Sequence, residues 1–217
     1  MLYIVSTPIW NLEDMTFRAV RTLKEVDLIA CEDTRTSRVL FDRYEITTIY
    51  TSFHSFTNDR KLEEIITKLK DWKDIALISD AWTPWISDPW YKLIKRAIEE
   101  DITISPIPWC SALVAWIVCS WMNMHHFLYL WFLPLKKGRQ TLFKSLESKK
   151  HTVIIYESVH RIVKTLKDIE KYFWEDHNIA VWREITKKFE EFSRWKVTDI
   201  IKDFEKKKRK WEFVVMF

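Results

Sequence analysis

The first half of the chain alternates between short apolar runs and amphipathic segments. Ile75–Ile78 is an unbroken apolar run, typical of a strand buried on both faces of a parallel sheet. Asp59–Lys70 instead repeats its apolar residues at helical spacing. The same reasoning predicts strands at 2–9, 27–31, 47–51, 75–78 and 102–107, and helices at 12–23, 36–44, 59–70, 88–100 and 111–119. This alternation predicts a parallel sheet with helices on both faces.

The pattern changes near residue 120. Strands are predicted at 127–132, 152–156, 178–185, 189–197 and 212–217, and helices at 137–148, 159–173 and 198–204. Two strands follow each other without a helix between them, which indicates a mixed sheet. We therefore predict two α/β domains, residues 1–118 and 122–217.

The glycine and tryptophan contents are both unusual, with 1 Gly and 13 Trp in 217 residues. Average glycine usage would give roughly 15 glycines, and the turns of an α/β protein need residues that tolerate positive φ. Many tryptophans stand in turn-like surroundings, as in the stretch DAWTPWISDPW. We infer that they stand where the functional protein has glycine, because the source reads UGA as glycine and the conceptual translation wrote tryptophan. The alternative is a protein that is truly rich in tryptophan.

Net charge, cysteine spacing and the apolar segments indicate which partners and which cellular compartment to expect. The net charge of +4 permits a polyanionic partner without demanding one. Cys31, Cys110 and Cys119 lack CxxC spacing, which indicates reduced thiols and no metal site. The N-terminal MLYIVSTPIW is predicted to be a strand and not a signal peptide, and the apolar stretch 112–118 is too short to span a bilayer. We expect a cytoplasmic protein without a membrane or metal partner.

Four polar segments follow predicted strands of the first domain, at 7–11, 32–35, 79–84 and 106–111. Ligands of open α/β sheets bind at the carboxyl ends of the strands, so these segments should line one cleft. A helix is predicted to follow, with Asp88 as its N-cap and Pro89 at its first position. The chain has neither GxGxxG nor a P-loop, so nucleotide binding of those kinds is not supported.

Reading tryptophan as glycine produces seven motifs in order: TPIGNLEDM, IACEDTRTS, ISDAGTPGISDPGY, PIPGCSAL, GFLP, IIYESVHRI and GREITK. With them, essentially the whole chain resembles the 16S rRNA (cytidine-2′-O)-methyltransferase family of the tetrapyrrole methylase superfamily. The resemblance implies a two-domain tetrapyrrole-methylase-like fold, a parallel-sheet N-terminal domain and a mixed-sheet C-terminal domain with the cofactor cleft between them. It also implies S-adenosylmethionine (SAM) as methyl donor, a homodimer, and methylation of a decoding-site cytidine of 16S rRNA in the small ribosomal subunit.

The resemblance also implies which residues bind the donor. They are Pro8, Ser79, Asp80, Ala81, Trp82, Thr83, Pro108, Trp109, Ser111 and Leu133. SAM is a sulfonium cation, which the carboxylate of Asp80 and main-chain carbonyls suit electrostatically. Literal tryptophans at 82 and 109 would fill the cleft.

The acceptor, a ribose 2′-hydroxyl, is a poor nucleophile at neutral pH and needs a group that takes its proton. The candidates for catalysis are Glu32, Asp33 and Glu157 as proton acceptors, with Lys187 holding phosphates or steadying the alkoxide. The expected RNA contacts are Arg35, Arg161, Arg183, Lys207 and Arg209. The sequence does not choose among these groups.

Several alternatives stay open. The acidic and basic residues at 32–35 also fit a local ion pair with a helix N-cap. The residues at 157–161 also fit ordinary helix capping, and the KKKRK run at 206–210 also fits a solvated turn. One alternative function is a methylase of the same superfamily that acts on a small molecule. Another is a non-catalytic RNA-binding protein whose donor cleft is filled by real tryptophans.

Overall fold

The computed structural model describes residues 1–54, 59–80, 91–108, 111–123, 125–148, 151–206 and 212–217. It divides into two compact units, Met1–Ala112 and Leu113–Phe217. The predicted domain ranges, 1–118 and 122–217, place the boundary a few residues later and stay a prediction. Within the described ranges, no helix combines the length and the apolar character needed to cross a membrane.

The first unit is built on a five-stranded sheet. Its strands are β1 (Leu2–Val5), β2 (Leu28–Cys31), β3 (Tyr50–Ser52), β4 (Ile75–Ile78) and β5 (Ile104–Ile107), and its helices are α1 (Phe17–Glu25), α2 (Thr34–Tyr44), α3 (Asp59–Lys70) and α4 (Tyr91–Glu99). The strand order is β3-β2-β4-β1-β5, and every pairing is parallel. The predicted parallel sheet is therefore confirmed.

Apolar side chains cover both faces of this sheet. On one face, residues of β1, β2 and β4 pack against Ile65, Ile66 and Leu69 of α3 and Leu93 of α4. On the other face, α1 and α2 contribute their buried residues to a second cluster. A strand with helices above and below buries every side chain, which is why β4 is an unbroken apolar run.

Several predicted elements of the first unit differ from the structure in their bounds, and the first helix differs most. The predicted helix 12–23 is a 3-10 turn, Leu12–Asp14, followed by α1. A new helix begins because the Thr16 hydroxyl accepts the Ala19 N–H at 3.0 Å. Pro106 lies within β5, inside the predicted strand 102–107. Because β5 is at the sheet edge, a residue without an N–H is tolerated there.

The second unit has a mixed sheet. Its strands are β6 (Phe127–Phe132), β7 (Thr152–Glu157), β8 (Asn178–Arg183), β9 (Glu191–Lys196) and β10 (Phe213–Met216), and its helices are α6 (Arg139–Glu147), α7 (Ile162–Phe173) and α8 (Val197–Lys206), after the short α5 (Ala112–Ile117) that spans the division. The order is β6-β7-β10-β8-β9, in which β6 and β7 are parallel and the other pairs antiparallel. This confirms the predicted mixed sheet.

The two faces of the second sheet differ in chemistry. One packs alternate residues such as Val153, Ile155 and Val215 against α6, α7 and α8. Around Tyr156, which β7 directs to the other face, the rings of Trp116 and Trp131 lie with centroids 5.1 and 4.8 Å away. The buried indole N–H of Trp116 has no hydrogen-bond partner in the described part of the chain, and that of Trp182 has none there either. Such unpaired buried donors are costly.

Tryptophans recur in a backbone conformation that favours glycine. Among the residues that the structure describes, the tryptophans with positive φ are Trp72, Trp121, Trp131, Trp174 and Trp195. After α3, the Lys73 N–H donates to the Lys68 carbonyl at 3.1 Å with Trp72 at φ 62°. This is a Schellman helix end, in which glycine usually holds the left-handed position. Trp174, at φ 68° and ψ 161°, lies in a region that is almost restricted to glycine. These conformations support the inference that glycine belongs at tryptophan positions.

Candidate active site

The carboxyl ends of three neighbouring strands are joined by hydrogen bonds. The Thr7 hydroxyl, after β1, donates to the Ser79 carbonyl, after β4, at 2.9 Å. Asp80 then accepts the Asp33 N–H on its carboxylate at 3.1 Å, and its own N–H donates to Glu32 Oε2 at 3.4 Å. Residues that are remote in the chain therefore form one continuous edge, as expected for the ends of adjacent parallel strands.

A cavity of about 300 Å³ opens at this edge. Its polar lining includes Thr7, Ser37, Ser79 and Asp80, and its apolar lining includes Pro8, Ile9, Leu12, Val39 and Leu40. Apolar walls with a few convergent polar groups are typical of small-molecule sites. The structure thus brings together three predicted donor-binding residues, Pro8, Ser79 and Asp80, within the first unit.

Asp33 acts as the N-cap of α2. Its carboxylate accepts the Arg35 N–H at 2.8 Å and pairs with the Arg35 guanidinium at 2.7 Å. These bonds stabilise the charged form and lower the pKa of Asp33 to about 2. A carboxylate with so low a pKa is a weak base at neutral pH. The geometry is therefore that of a helix cap with a local ion pair, although the predicted catalytic role of Asp33 stays a prediction.

Glu157 is fully buried at the end of β7. One carboxylate oxygen accepts the Ser158 N–H at 2.8 Å and lies 3.3 Å from Arg161 Nε, and the other accepts the Thr165 hydroxyl at 2.6 Å. Leu133, a predicted donor-binding residue, is connected to this group because its carbonyl accepts a hydrogen bond from Arg161 at 2.6 Å. The second unit thus places Glu157, Arg161 and Leu133 together.

Lys187 lies in the connection between β8 and β9. Burial lowers its pKa, partly offset by the negative charges of Glu184 and Glu212. Burial likewise raises the pKa of Glu212, partly offset by Lys187. pKa shifts that favour the neutral form of a group are common at functional sites but also occur in structural ion pairs. Glu212 is absent from the sequence-based candidates, since a lone glutamate before a strand carries no motif.

The predicted RNA contacts that the structure describes all have carboxylate partners. Arg35 pairs with Asp33 and Arg161 with Glu157. Arg183 pairs with Glu184 and, through Nε at 2.5 Å, with Glu191. Only the Arg35 side chain among these three is highly exposed, at 91%. A phosphate would therefore compete with internal carboxylates at Arg161 and Arg183.

The remaining predicted site residues divide into two groups. Pro108 is exposed and Ser111 half-buried, before α5. Ala81, Trp82, Thr83, Trp109, Lys207 and Arg209 lie outside the described residues, as does the predicted cap at Asp88 and Pro89. Across the described ranges, no three histidine, cysteine or acidic residues are grouped so that they could hold a metal ion.

Comparison with known proteins identifies the family. The profile described as Tetrapyrrole (Corrin/Porphyrin) Methylases matches residues 1–201. The ribosomal RNA small subunit methyltransferase I of Thermotoga maritima is 41% identical over 215 residues, covering 99% of this chain and 96% of that protein. The chain belongs to the tetrapyrrole methylases, in the ribosomal RNA small subunit methyltransferase I family. The predicted family and the assignment as a methyltransferase are therefore confirmed.

Solved structures support the fold of this tetrapyrrole methylase. A cobalt precorrin-4 methyltransferase aligns with a TM-score of 0.72 at 14% identity, covering 99% of this chain and 93% of that one. A uroporphyrin-III C-methyltransferase from Thermus thermophilus, complexed with S-adenyl homocysteine, aligns with a TM-score of 0.68 at 13% identity, covering 99% and 96%. The predicted fold class is confirmed by this likeness and by the two sheets.

Proposed function

We propose that this methylase transfers a methyl group from SAM to a ribose 2′-hydroxyl of 16S rRNA, at the decoding-site cytidine. SAM is the methyl donor of the family, and the small-subunit RNA substrate follows from the relatives' name. The observation that carries the proposal furthest is the cavity at the carboxyl edge of the first sheet, where Pro8, Ser79 and Asp80 converge.

Donor binding follows from the chemistry of that edge. The sulfonium of SAM is cationic, and Asp80 is the carboxylate that lines the cavity. Its backbone N–H and carboxylate bonds to the β2 end restrict its motion, so little reorganisation is needed when the donor binds. Ala81, Trp82, Thr83, Pro108, Trp109, Ser111 and Leu133 complete the proposed donor site.

The proton acceptor is proposed from what each candidate's surroundings allow. The low pKa of Asp33 argues against it, and both oxygens of Glu157 already accept hydrogen bonds. Glu32 therefore remains as the proposed proton acceptor. Lys187, whose pKa is lowered by burial, is proposed to hold phosphates or to steady the developing alkoxide.

The proposed assembly follows from the family. We place the protein in the cytoplasm as a homodimer, with domains 1–118 and 122–217 and no metal. Arg35, Arg183, Lys207 and Arg209 are the proposed contacts to RNA, with the small ribosomal subunit as partner. Arg161 is not placed among them, because its guanidinium binds Glu157 and the Leu133 carbonyl. The native protein is proposed to carry glycine at the 13 tryptophan positions, a sequence that we call the glycine form.

The test uses tritium-labelled SAM with purified 30S particles and, separately, a porphyrinoid. We expect the glycine form to label 30S particles at a single ribose, and the printed sequence to label them far less. Labelling of the porphyrinoid alone would favour a small-molecule methylase. An absence of SAM binding by the glycine form in calorimetry would favour a non-catalytic RNA-binding protein.

A further inference from the structure

A buried polar network runs through the second unit beneath the segment that follows β6. Thr165, on α7, donates its hydroxyl to Glu157 Oε2 at 2.6 Å and accepts from Arg139 Nη2 at 2.8 Å. Glu157 Oε1 lies 3.3 Å from Arg161 Nε. Glu157 and Thr165 are fully buried, and Arg139 is 5% exposed. Four side chains from β7, α6 and the start of α7 are thereby joined.

Both arginines of the network also bind consecutive carbonyl groups of the main chain. Arg161 Nη2 donates to the Leu133 carbonyl at 2.6 Å, and Arg139 Nη1 donates to the Pro134 carbonyl at 3.2 Å. The Leu133 side chain is 2% exposed and packs in the core of the unit. What Leu133 can offer to a ligand is therefore its backbone.

The bonds to these carbonyls determine the direction of the neighbouring backbone groups. In a planar trans peptide the carbonyl and the following N–H point in opposite directions. Because Arg139 holds the Pro134 carbonyl, the Leu135 N–H on the same peptide plane points away from the guanidinium. Asp168, 2.8 Å from Arg139 Nε, fixes the guanidinium itself.

Stability alone does not account for such a network. Burying charges costs desolvation, and an apolar cluster of similar volume is often at least as stable. Paired and hydrogen-bonded charges do specify one geometry, because each guanidinium is a rigid planar fork of donors. The structural consequence here is a fixed backbone at Leu133 and Pro134.

We propose that Glu157, Thr165, Arg139 and Arg161 are positioning residues that hold the Leu133–Pro134 backbone in the conformation that binds SAM. The proposal rests on the proposed function, in which this segment contacts the donor. It gives Glu157 and Arg161 a role that differs from proton acceptance and phosphate binding. None of the four touches the donor, so they act on its affinity and not on the chemical step.

The test compares two substitutions on the same helical segment in the full-length glycine form. Arg161→Met removes the guanidinium that binds the Leu133 carbonyl, and Lys164→Met, at an exposed position, removes one positive charge outside the network. Hydrogen exchange of the segment 133–138 measures whether the backbone is held. Calorimetry measures SAM affinity, kinetics measure kcat, and the salt dependence of RNA binding measures phosphate contacts.

For Arg161→Met we expect faster hydrogen exchange at 133–138 and a Kd for SAM that is raised about tenfold or more. We expect its kcat and the salt dependence of its RNA binding to stay close to those of Lys164→Met. Unchanged exchange would overturn the proposal. So would faster exchange with unchanged SAM affinity, or a salt slope that falls by about one unit while SAM affinity is retained.

A second substitution guards against loss of folding. Thr165→Val keeps the side-chain size but removes the hydroxyl that joins Arg139 to Glu157. It should also speed hydrogen exchange at 133–138 and raise the Kd for SAM, both by less than Arg161→Met does. The exchange measurement needs no ligand. A parent protein that binds no SAM would refute the proposed function, whereas the exchange result would still accept or reject the anchoring of the backbone.

Discussion

Replacing Trp174 by glycine should stabilise the protein. Trp174 ends α7 at φ 68° and ψ 161°, a region in which an L-residue is strained by about 1–3 kcal/mol. Its side chain is 73% exposed, so its removal loses little packing. Glycine costs about 0.5–1 kcal/mol more backbone entropy on folding. The balance is a gain of between about 0 and 2.5 kcal/mol, with a central value of about 1 kcal/mol.

The measurement is urea unfolding, supported by thermal unfolding, of the printed chain and its Trp174→Gly variant. For a protein of this length each kcal/mol corresponds to a Tm shift of about 2–4 °C. Trp174→Ala is the matched control, because it removes the indole but keeps the Cβ that causes the strain. We expect it to change the free energy of unfolding by less than about 0.5 kcal/mol.

A second control separates strain from a general effect of removing tryptophan. Trp10 is 56% exposed and is not among the residues with positive φ. Trp10→Gly should therefore bring no gain in the free energy of unfolding, because no strain at positive φ is relieved and glycine loses more backbone entropy on folding. The reasoning fails if Trp174→Gly brings no gain, or if Trp174→Ala gains as much.

Three further predictions concern Asp80 at the cavity, the thiols of Cys31 and Cys119, and the basic residues at 206–210. Asp80→Asn in the glycine form should reduce methyl transfer about 100-fold or more with little change in Tm. The control Asp71→Asn, at an exposed position, should leave methyl transfer unchanged. Equal activity of the two variants would show that Asp80 is not part of the site. Burial raises the pKa of Cys31 to about 11, so its neutral thiol should resist iodoacetamide at pH 8 while exposed Cys119 reacts. The alkylation rate of Cys31 should rise toward pH 11 without the plateau near pH 9 of a free thiol. Equal labelling of Cys31 and Cys119 in mass spectrometry would contradict this. Glutamine at the basic positions of 206–210 should flatten the salt dependence of RNA binding, and an unchanged slope would exclude this run as a phosphate contact.

The candidate site shows where sequence reasoning stops. The motif with Asp80 and the resemblance located the cavity edge before any coordinates, because strand-end segments of a parallel sheet have to meet. Arg139 and Thr165 were missed, since neither belongs to a motif and an exposed arginine and a buried one look alike in sequence. Their partners lie on other elements, so only the packed unit shows that Glu157 anchors a backbone segment.

The sequence by itself determined what depends on neighbours along the chain. Period and run length marked β4 and α3 at their observed bounds, and the shortage of glycine pointed to tryptophans that the backbone holds at positive φ. Tertiary structure alone decided the strand order β3-β2-β4-β1-β5 and the environment of each charged group. The physical reason is that pairing, burial and pKa depend on groups that come together only when the chain has folded.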